Sequence, residues 1–291
     1  MKISFGSWAF TFGPRSRDAL PFRQSAQAIA DAGYDGVEIS GFPPHVTLEE
    51  YESKTMRAEL VRALSGMGLG ISAYVADFTM VNPLAPENRT AYLDRMARCI
   101  DFSAAIGCSS IRLDSVAAPE GGGTAAAVQR LTDIWREAAE MAAKSSLRLL
   151  WEFEPGFAFN KPSDVVTIFE KVGHPAFQVL FDTAHAYLCG VVGARQQGRV
   201  ETVQGGVAGF LDLLCGRIGH VHLVDTDGTL YGDETSTHCP LGEGLLDFYA
   251  LAPALRTIPG VEWWCVDLSF RRDTEKQLEP CLQFARGLAA R

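Results

Sequence analysis

The sequence predicts an α/β chain folded as a single (β/α)8 barrel spanning residues 1–291, and three observations predict it. Short runs with strand character recur eight times, starting near residues 2, 36, 70, 110, 148, 179, 220 and 263. Each run is followed by a stretch with helical spacing of apolar residues. No Pro/Gly/Ser linker or block of like charge interrupts the series. Eight strand–helix units in one domain are the repeat of a closed parallel barrel. A doubly wound sheet is the competing fold. It usually offers a Gly-x-Gly-x-x-Gly turn after its first strand, and Gly6-Ser7-Trp8-Ala9-Phe10 supplies none.

The first unit pairs a strand at Ile3 to Trp8 with a helix from Asp18 to Asp31 that closes on Ala32-Gly33. The second pairs Gly36-Val37-Glu38-Ile39 with a helix from about Leu48 to Met67, where Thr47 and Glu50 have capping-box spacing and Gly68 is the stop. Gly70 to Ala76 is the third strand, and its helix, Glu87 to Ile106, ends at Gly107, a residue suited to a left-handed cap. Ser110 to Asp114 is the fourth strand, followed by the Gly-rich loop Gly121 to Gly123 and an Ala-rich helix from about Thr124 to Lys144. The last four strands are Arg148 to Glu154, Val179 to Asp182, His220 to Asp225 and Trp263 to Asp267. Their helices fall at Ser163 to Val172, Thr202 to Leu214, Asp247 to Thr257 and Glu275 to Leu288.

Composition narrows the function classes. With 47% hydrophobic and 21% charged residues the chain has ample core material. A net charge of −9 gives no general attraction to phosphate backbones or anionic lipid, so neither nucleic acid nor membrane is expected as a partner. Seven scattered cysteines form no Cys-x-x-Cys pair, which argues for reduced thiols. The first residues lack a signal-peptide pattern and no segment has 18 apolar residues in a row, so a cytoplasmic location is expected.

The chemistry concentrates where the later strands end. Asp182 closes an apolar run in Leu180-Phe181-Asp182-Thr183-Ala184-His185, and a carboxylate so placed needs a metal, a cation or several donors. Residues at the C-terminal ends of barrel strands converge on one mouth. Alternation puts Leu150 with Glu152 and Glu154 on one face, Leu180 with Asp182, His220 with His222, and Cys265 with Asp267. If those faces point inward, the mouth holds Glu152, Asp182, His222 and Asp267. This mixed nitrogen and oxygen set suits Mn2+, Co2+, Mg2+ or Zn2+, and is too hard for a soft metal. Trp8, Phe10, Phe12, Phe42 and His45 follow strands 1 and 2 on the mouth side, where they are placed to flank a bound ring, although core packing explains some of them equally well. His238, in the loop after strand 7, is a candidate substrate contact. His220 reads as a packed or supporting histidine, His174 as one at the opposite rim, and Trp151 as facing the helix layer.

Glu152 near Pro155, the Asp182-Thr183-Ala184-His185 run, His220-Val221-His222 and Leu241-Gly242-Glu243-Gly244-Leu245-Leu246-Asp247 together resemble the xylose-isomerase-like sugar phosphate isomerase/epimerase family of TIM barrels, over nearly the whole chain. The resemblance implies a divalent ion, Mn2+ first among the candidates, bound by Glu152, Asp182, His222 and Asp267, with His185 on substrate. Glu154 stands beside Glu152 as a substrate contact or as the strand-5 ligand shifted by two residues. The eighth strand departs from the family's ketose 3-epimerases, offering Asp267 where they use Glu. One methylene less places this carboxylate farther from a proton on the second face of a sugar carbon.

The leading expectation is therefore a keto-sugar isomerase or epimerase acting through an enediolate. In it Glu152 is the base, Asp267 returns a proton or completes the metal shell, and His185 and His238 orient hydroxyls. The alternative is a lyase on the same scaffold, such as the catalytic α subunit of a 3-keto C-glycoside deglycosidase, which would need a small β partner, or an inosose-type dehydratase. A homo-oligomer is compatible with either. The apurinic-site endonucleases share the barrel, but six histidines and the acidic charge argue against their three-metal chemistry.

Overall fold

The computed structural model describes residues 1–114, 125–232 and 234–290. The eight barrel strands are β1 (Lys2–Gly6), β2 (Gly36–Ser40), β3 (Gly70–Val75), β4 (Ser110–Leu113), β5 (Arg148–Glu152), β6 (Phe177–Asp182), β7 (Ile218–Leu223) and β8 (Trp263–Val266). They close in the order β1-β8-β7-β6-β5-β4-β3-β2, and each neighbouring pair is parallel. The helices are α1 (Phe22–Asp31), α2 (Lys54–Gly66), α3 (Arg89–Ala105), α4 (Ala125–Lys144), α5 (Pro162–Val172), α6 (Thr183–Tyr187), α7 (Gly206–Leu213), α8 (Phe248–Arg256) and α9 (Thr274–Ala290). The predicted Gly121 to Gly123 loop lies outside the described residues. No helix among the described residues is long and apolar enough to cross a membrane.

Strand alternation sorts side chains as the pattern requires. Outward-facing Trp151 meets Trp135 of α4 at 5.3 Å between ring centroids, and Trp135 also packs on Phe177. The main core therefore lies between sheet and helices. Inside the barrel, Ala73, Leu150 and Leu180 form a small apolar floor. One pleat period above Leu150 and Leu180, the interior turns acidic with Glu152 and Asp182.

Several boundaries differ from the sequence expectation, each for a local reason. The first strand stops at Gly6, and Ser7–Phe10 turn into a 3-10 helix that swings Trp8 over the mouth. Proline at position 21 delays α1 to Phe22. The capping box at Thr47 forms only a turn, in which Thr47 Oγ1 accepts from the Glu50 amide at 3.2 Å. The helix begins later, at Lys54, because Ser53 caps it by accepting from the Met56 amide. Strand β5 ends at Glu152, leaving Glu154 beyond it, since Pro155 has no amide hydrogen with which to continue a ladder. Residue 182 is both strand end and helix cap: Asp182 Oδ1 accepts from the His185 amide at 2.7 Å, which sets His185 in the first turn of α6.

Asp225, which ends a strand-like run in the sequence, serves the scaffold. Its carboxylate accepts backbone N–H groups from Thr226, Gly242, Gly244 and Leu246. A Cβ on Gly244 would meet Asp225 Oδ1 at 2.3 Å, so glycine is what lets this loop wrap the acid. The Gly242-Glu243-Gly244 stretch thus fixes the path of the chain between β7 and β8.

Candidate active site

The strand ends converge as the barrel requires. Register pairs Asp182 with His222 across β6 and β7, and His222 with Cys265 on β8. His222 Nδ1 faces three carboxylates: Glu152 Oε1 at 2.8 Å, Asp182 Oδ2 at 3.8 Å and Asp267 Oδ2 at 4.0 Å. All four residues are buried. Asp182 Oδ2 has no hydrogen-bond partner among the described residues. Burial, reinforced by Glu152, pushes the Asp182 carboxyl up to about 7. Burial pushes His222 down, but Glu38 and Glu152 outweigh it and hold the imidazole well above its usual range. An imidazole nitrogen ringed by carboxylates, one with an orphaned oxygen, is a centre short of positive charge. Three oxygen ligands and one nitrogen are the donor set of a hard or borderline divalent cation, so the residues fit such an ion.

Two other acid–histidine groupings lie nearby. Glu38, His220 and His222 gather below the centre, and Glu152, Glu154 and His185 beside it. In the first, His220 Nε2 is 2.9 Å and His222 Nε2 3.1 Å from Glu38 Oε2. Both separations are those of ordinary N–H···O hydrogen bonds. Glu38 therefore accepts the Nε2 protons of both rings and leaves Nδ1 of His222 facing the carboxylates, where it could ligate an ion once its proton has gone. Outer partners of this kind are worth 10–100-fold in metal affinity. Glu38→Gln is thus expected to weaken Mn2+ binding by about that factor in calorimetry, because an amide also offers a donor and frees the ring to turn. Unchanged affinity would remove Glu38 from this role.

The remaining predicted residues divide. Asp267 is held on one side only: its Oδ1 accepts from Trp8 Nε1, Ser269 N and Ser269 Oγ at 2.8–3.0 Å, which turns Oδ2 to the centre. His185 places Nδ1 on Ser236 Oγ at 2.8 Å and Nε2 3.7 Å from Glu154 Oε2. Burial lowers its pKa to about 3, so it is neutral at physiological pH. Glu154 accepts from Thr235 Oγ1 at 3.0 Å. Trp8, Phe12, Phe42, Glu154, His185, His238 and Phe270 all line one cavity of about 220 Å3 above the centre.

His45 is a correction. It does not line this cavity; its ring is buried, with Nδ1 3.3 Å from Ser7 Oγ, Nε2 3.0 Å from the Leu20 carbonyl and an edge contact to Phe22. It ties the turn after β2 to the segment after β1. Phe10 likewise belongs to the core, against Phe5. His174 accepts from the Ala176 amide at the start of β6, the opposite rim, as expected.

The family model described as a xylose isomerase-like TIM barrel matches residues 26–286. The chain belongs to that family. Among solved structures, a D-psicose 3-epimerase superposes with a TM-score of 0.76 at 14% identity, covering 100% of both chains. A D-tagatose 3-epimerase-like protein gives 0.74 at 18%, covering 100% of this chain and 98% of the other. The probable 3-DHS dehydratase AsbF from Bacillus anthracis gives 0.73 at 16%, covering 98% and 99%. At such identities the likeness is one of fold. No curated protein matches the sequence.

Within this xylose isomerase-like barrel, sequence reasoning missed Glu38, Arg112, Thr235 and Ser236. Arg112 on β4 is buried, ion-paired with Glu152 and, at 2.9 Å, with Asp114, and lies 4.9 Å over the Trp8 ring. The signal was present: a lone charge inside Gly36-Val37-Glu38-Ile39-Ser40 and inside Ser110-Ile111-Arg112-Leu113 is costly unless it meets an opposite charge. The Thr235-Ser236-Thr237 stretch, readable as merely a flexible polar loop, instead forms one arm of a small hairpin and hands hydroxyls to Glu154 and His185.

Proposed function

We propose that this chain is a divalent-metal-dependent carbohydrate enzyme that removes a proton from carbon beside a carbonyl, completing an isomerisation or epimerisation. The observation that carries this reading is the buried His222 Nδ1 ringed by Glu152, Asp182 and Asp267, the last of which also lines a small cavity. A divalent ion held by these four residues would draw electron density from the carbonyl and neighbouring hydroxyl oxygens of a bound sugar and so stabilise charge developing there. Glu152 is the base. Burial pushes its carboxyl up, but Arg112 and His222 outweigh that and keep it below the usual range, hence ionised and able to accept a proton at neutral pH. His185, neutral and fixed by Ser236, orients a substrate hydroxyl; Trp8, Phe12 and Phe42 line the same cavity.

The substrate class follows from size and charge. About 220 Å3 is below the usual range for drug-sized ligands and suits a single sugar or cyclitol ring. Among the described residues, Arg112 is the one guanidinium or ammonium group lining the cavity, and Asp114, Glu152 and Glu154 already surround it. Residues 115–124 contain no Lys or Arg. An unphosphorylated substrate is the better fit. A lyase is the second reading, favoured by the aromatic entrance of Phe12, Phe42 and Phe270, which suits an apolar substituent beyond the ring. Incubation in D2O with ketoses, their phosphates, an inosose and 3-keto glycosides tests both. Deuterium should enter the carbon beside the carbonyl of unphosphorylated members, with product structure sorting isomerase or epimerase from lyase. No incorporation into any carbonyl sugar would overturn the enediolate reading.

A further inference from the structure

Asp267 cannot easily be both a ligand and the second proton carrier, because its two oxygens are committed: Oδ1 to Trp8 and Ser269, Oδ2 to the centre. The loop after β7 supplies another group. His238 lies in that loop, 5% exposed, with Nδ1 accepting from the Ser269 amide at 3.2 Å and lying 3.3 Å from Asp267 Oδ1. Its ring is set between the edge of Phe270 at 5.6 Å and His185 at 5.7 Å. The backbone beside it is pinned, since Cys239 and Asp225 exchange both amide–carbonyl bonds and the Asp225 carboxylate holds residues 242–246. At the other end of the ring, His238 Nε2 has no hydrogen-bond partner among the described residues, and His238 lines the cavity. A buried imidazole nitrogen left so is costly unless something enters to use it.

We propose that His238, leaning on Asp267, is the second proton-transfer residue of this site, exchanging a proton with substrate through Nε2 from the β8 side of the mouth while Glu152 works from β5. This rests on the proton-abstraction reading above. The carbon–hydrogen bond breaks toward Glu152, which takes the proton while the electron pair enters the enediolate. His238 then gives its Nε2 proton to the carbon or to the departing oxygen that ends the reaction, whose new O–H or C–H bond uses the pair released there. Both groups return to their starting state through water, so the net proton count is unchanged.

The test uses the full chain loaded with Mn2+ and the unphosphorylated ketoses D-psicose and D-tagatose, alongside a 3-keto glucoside. In His238→Gln, product formation should fall about 10²–10⁴-fold, far more than deuterium wash-in at the carbon beside the carbonyl, with Mn2+ affinity unchanged. Imidazole added to His238→Ala should restore part of the turnover. Wash-in and product formation falling together with a raised KM would make His238 a binding residue only and overturn the proposal, as would unchanged turnover. Carbethoxylation with diethyl pyrocarbonate, mapped by peptide mass, reads His238 without any substrate. Labelling of His238 in the metal-free protein supports an open Nε2, and a His238 that stays unlabelled overturns it. If wild-type protein washes deuterium into no sugar, the enediolate reading fails, and the labelling result still decides whether the Nε2 is available.

Discussion

Asp182→Ala and His222→Ala should purify with no stoichiometric divalent ion while keeping the far-ultraviolet spectrum of the barrel. Each removes one proposed ligand atom from a centre whose other members lie within hydrogen-bond or ion-pair reach. Losing an outer-shell partner costs 10–100-fold in affinity, so losing a ligand should cost more than about 100-fold. Elemental analysis of protein purified without added metal checks this, and full occupancy in both variants would sink the assignment. The sign of the pH dependence follows from the protons that must leave. In the metal-free protein Asp182 titrates near 7, above its unfolded value, so its contribution to stability is present at low pH and fades as pH rises through 7. His222, held protonated by Glu38 and Glu152, must also release its Nδ1 proton to a ligand. Ion binding and protons therefore compete. The thermal shift produced by a fixed Mn2+ concentration should grow between pH 5.5 and pH 8. At a thousandfold excess over Kd the ion would add about 4 kcal/mol, a gain that Asp182→Ala should not show.

Glu152→Gln should abolish proton exchange while leaving much of the ion in place. The amide keeps the side-chain length and one oxygen for ligation, but has no basic oxygen to accept a proton from carbon. A well-placed general base is worth about 10²–10⁴-fold, so wash-in should fall by at least about 10²-fold. The neighbouring acid is the control. Glu154 sits beyond β5, bonded by Thr235 and 3.7 Å from His185, and burial with Glu152 nearby raises its carboxyl well above the usual range. Glu154→Gln should raise KM more than it lowers exchange. Loss of exchange in Glu154→Gln with retention in Glu152→Gln would move the base by two residues along the same face.

The barrel was readable from periodicity because each unit obeys a local rule. A run alternating at period two must bury one face, a helix with spacing near 3.6 must cover the other, and eight repeats leave no sheet edge to protect. Individual ends were less readable, since an end is settled by competition between neighbours. Ser53 outcompeted Thr47 as the α2 cap, and Pro155 stopped β5 short of Glu154. The proposed ligand set shows the same division. Glu152, Asp182, His222 and Asp267 stand at strand ends, and parity along a strand assigns such residues to a face without knowledge of the partner strands.

What parity leaves open is distance across the barrel and the direction of a ring. Nothing in Gly36-Val37-Glu38-Ile39 says that Glu38 meets His220 and His222, residues more than 180 positions away, because that contact exists only once β1 and β8 close the sheet. The same closure brings Trp8 onto Asp267, while the pairing of β4 with β5 brings Arg112 onto Glu152. His45 shows the reverse case: by position it belongs at the mouth, but the Leu20 carbonyl and Ser7 hydroxyl turn its ring away from the cavity. A side chain's element and face follow from its own neighbours in the chain, whose spacing is covalent. Its hydrogen-bond partner is chosen from whatever folding brings within about 3 Å, and for Glu38, Arg112 and His45 that choice belongs to segments the local sequence does not contain.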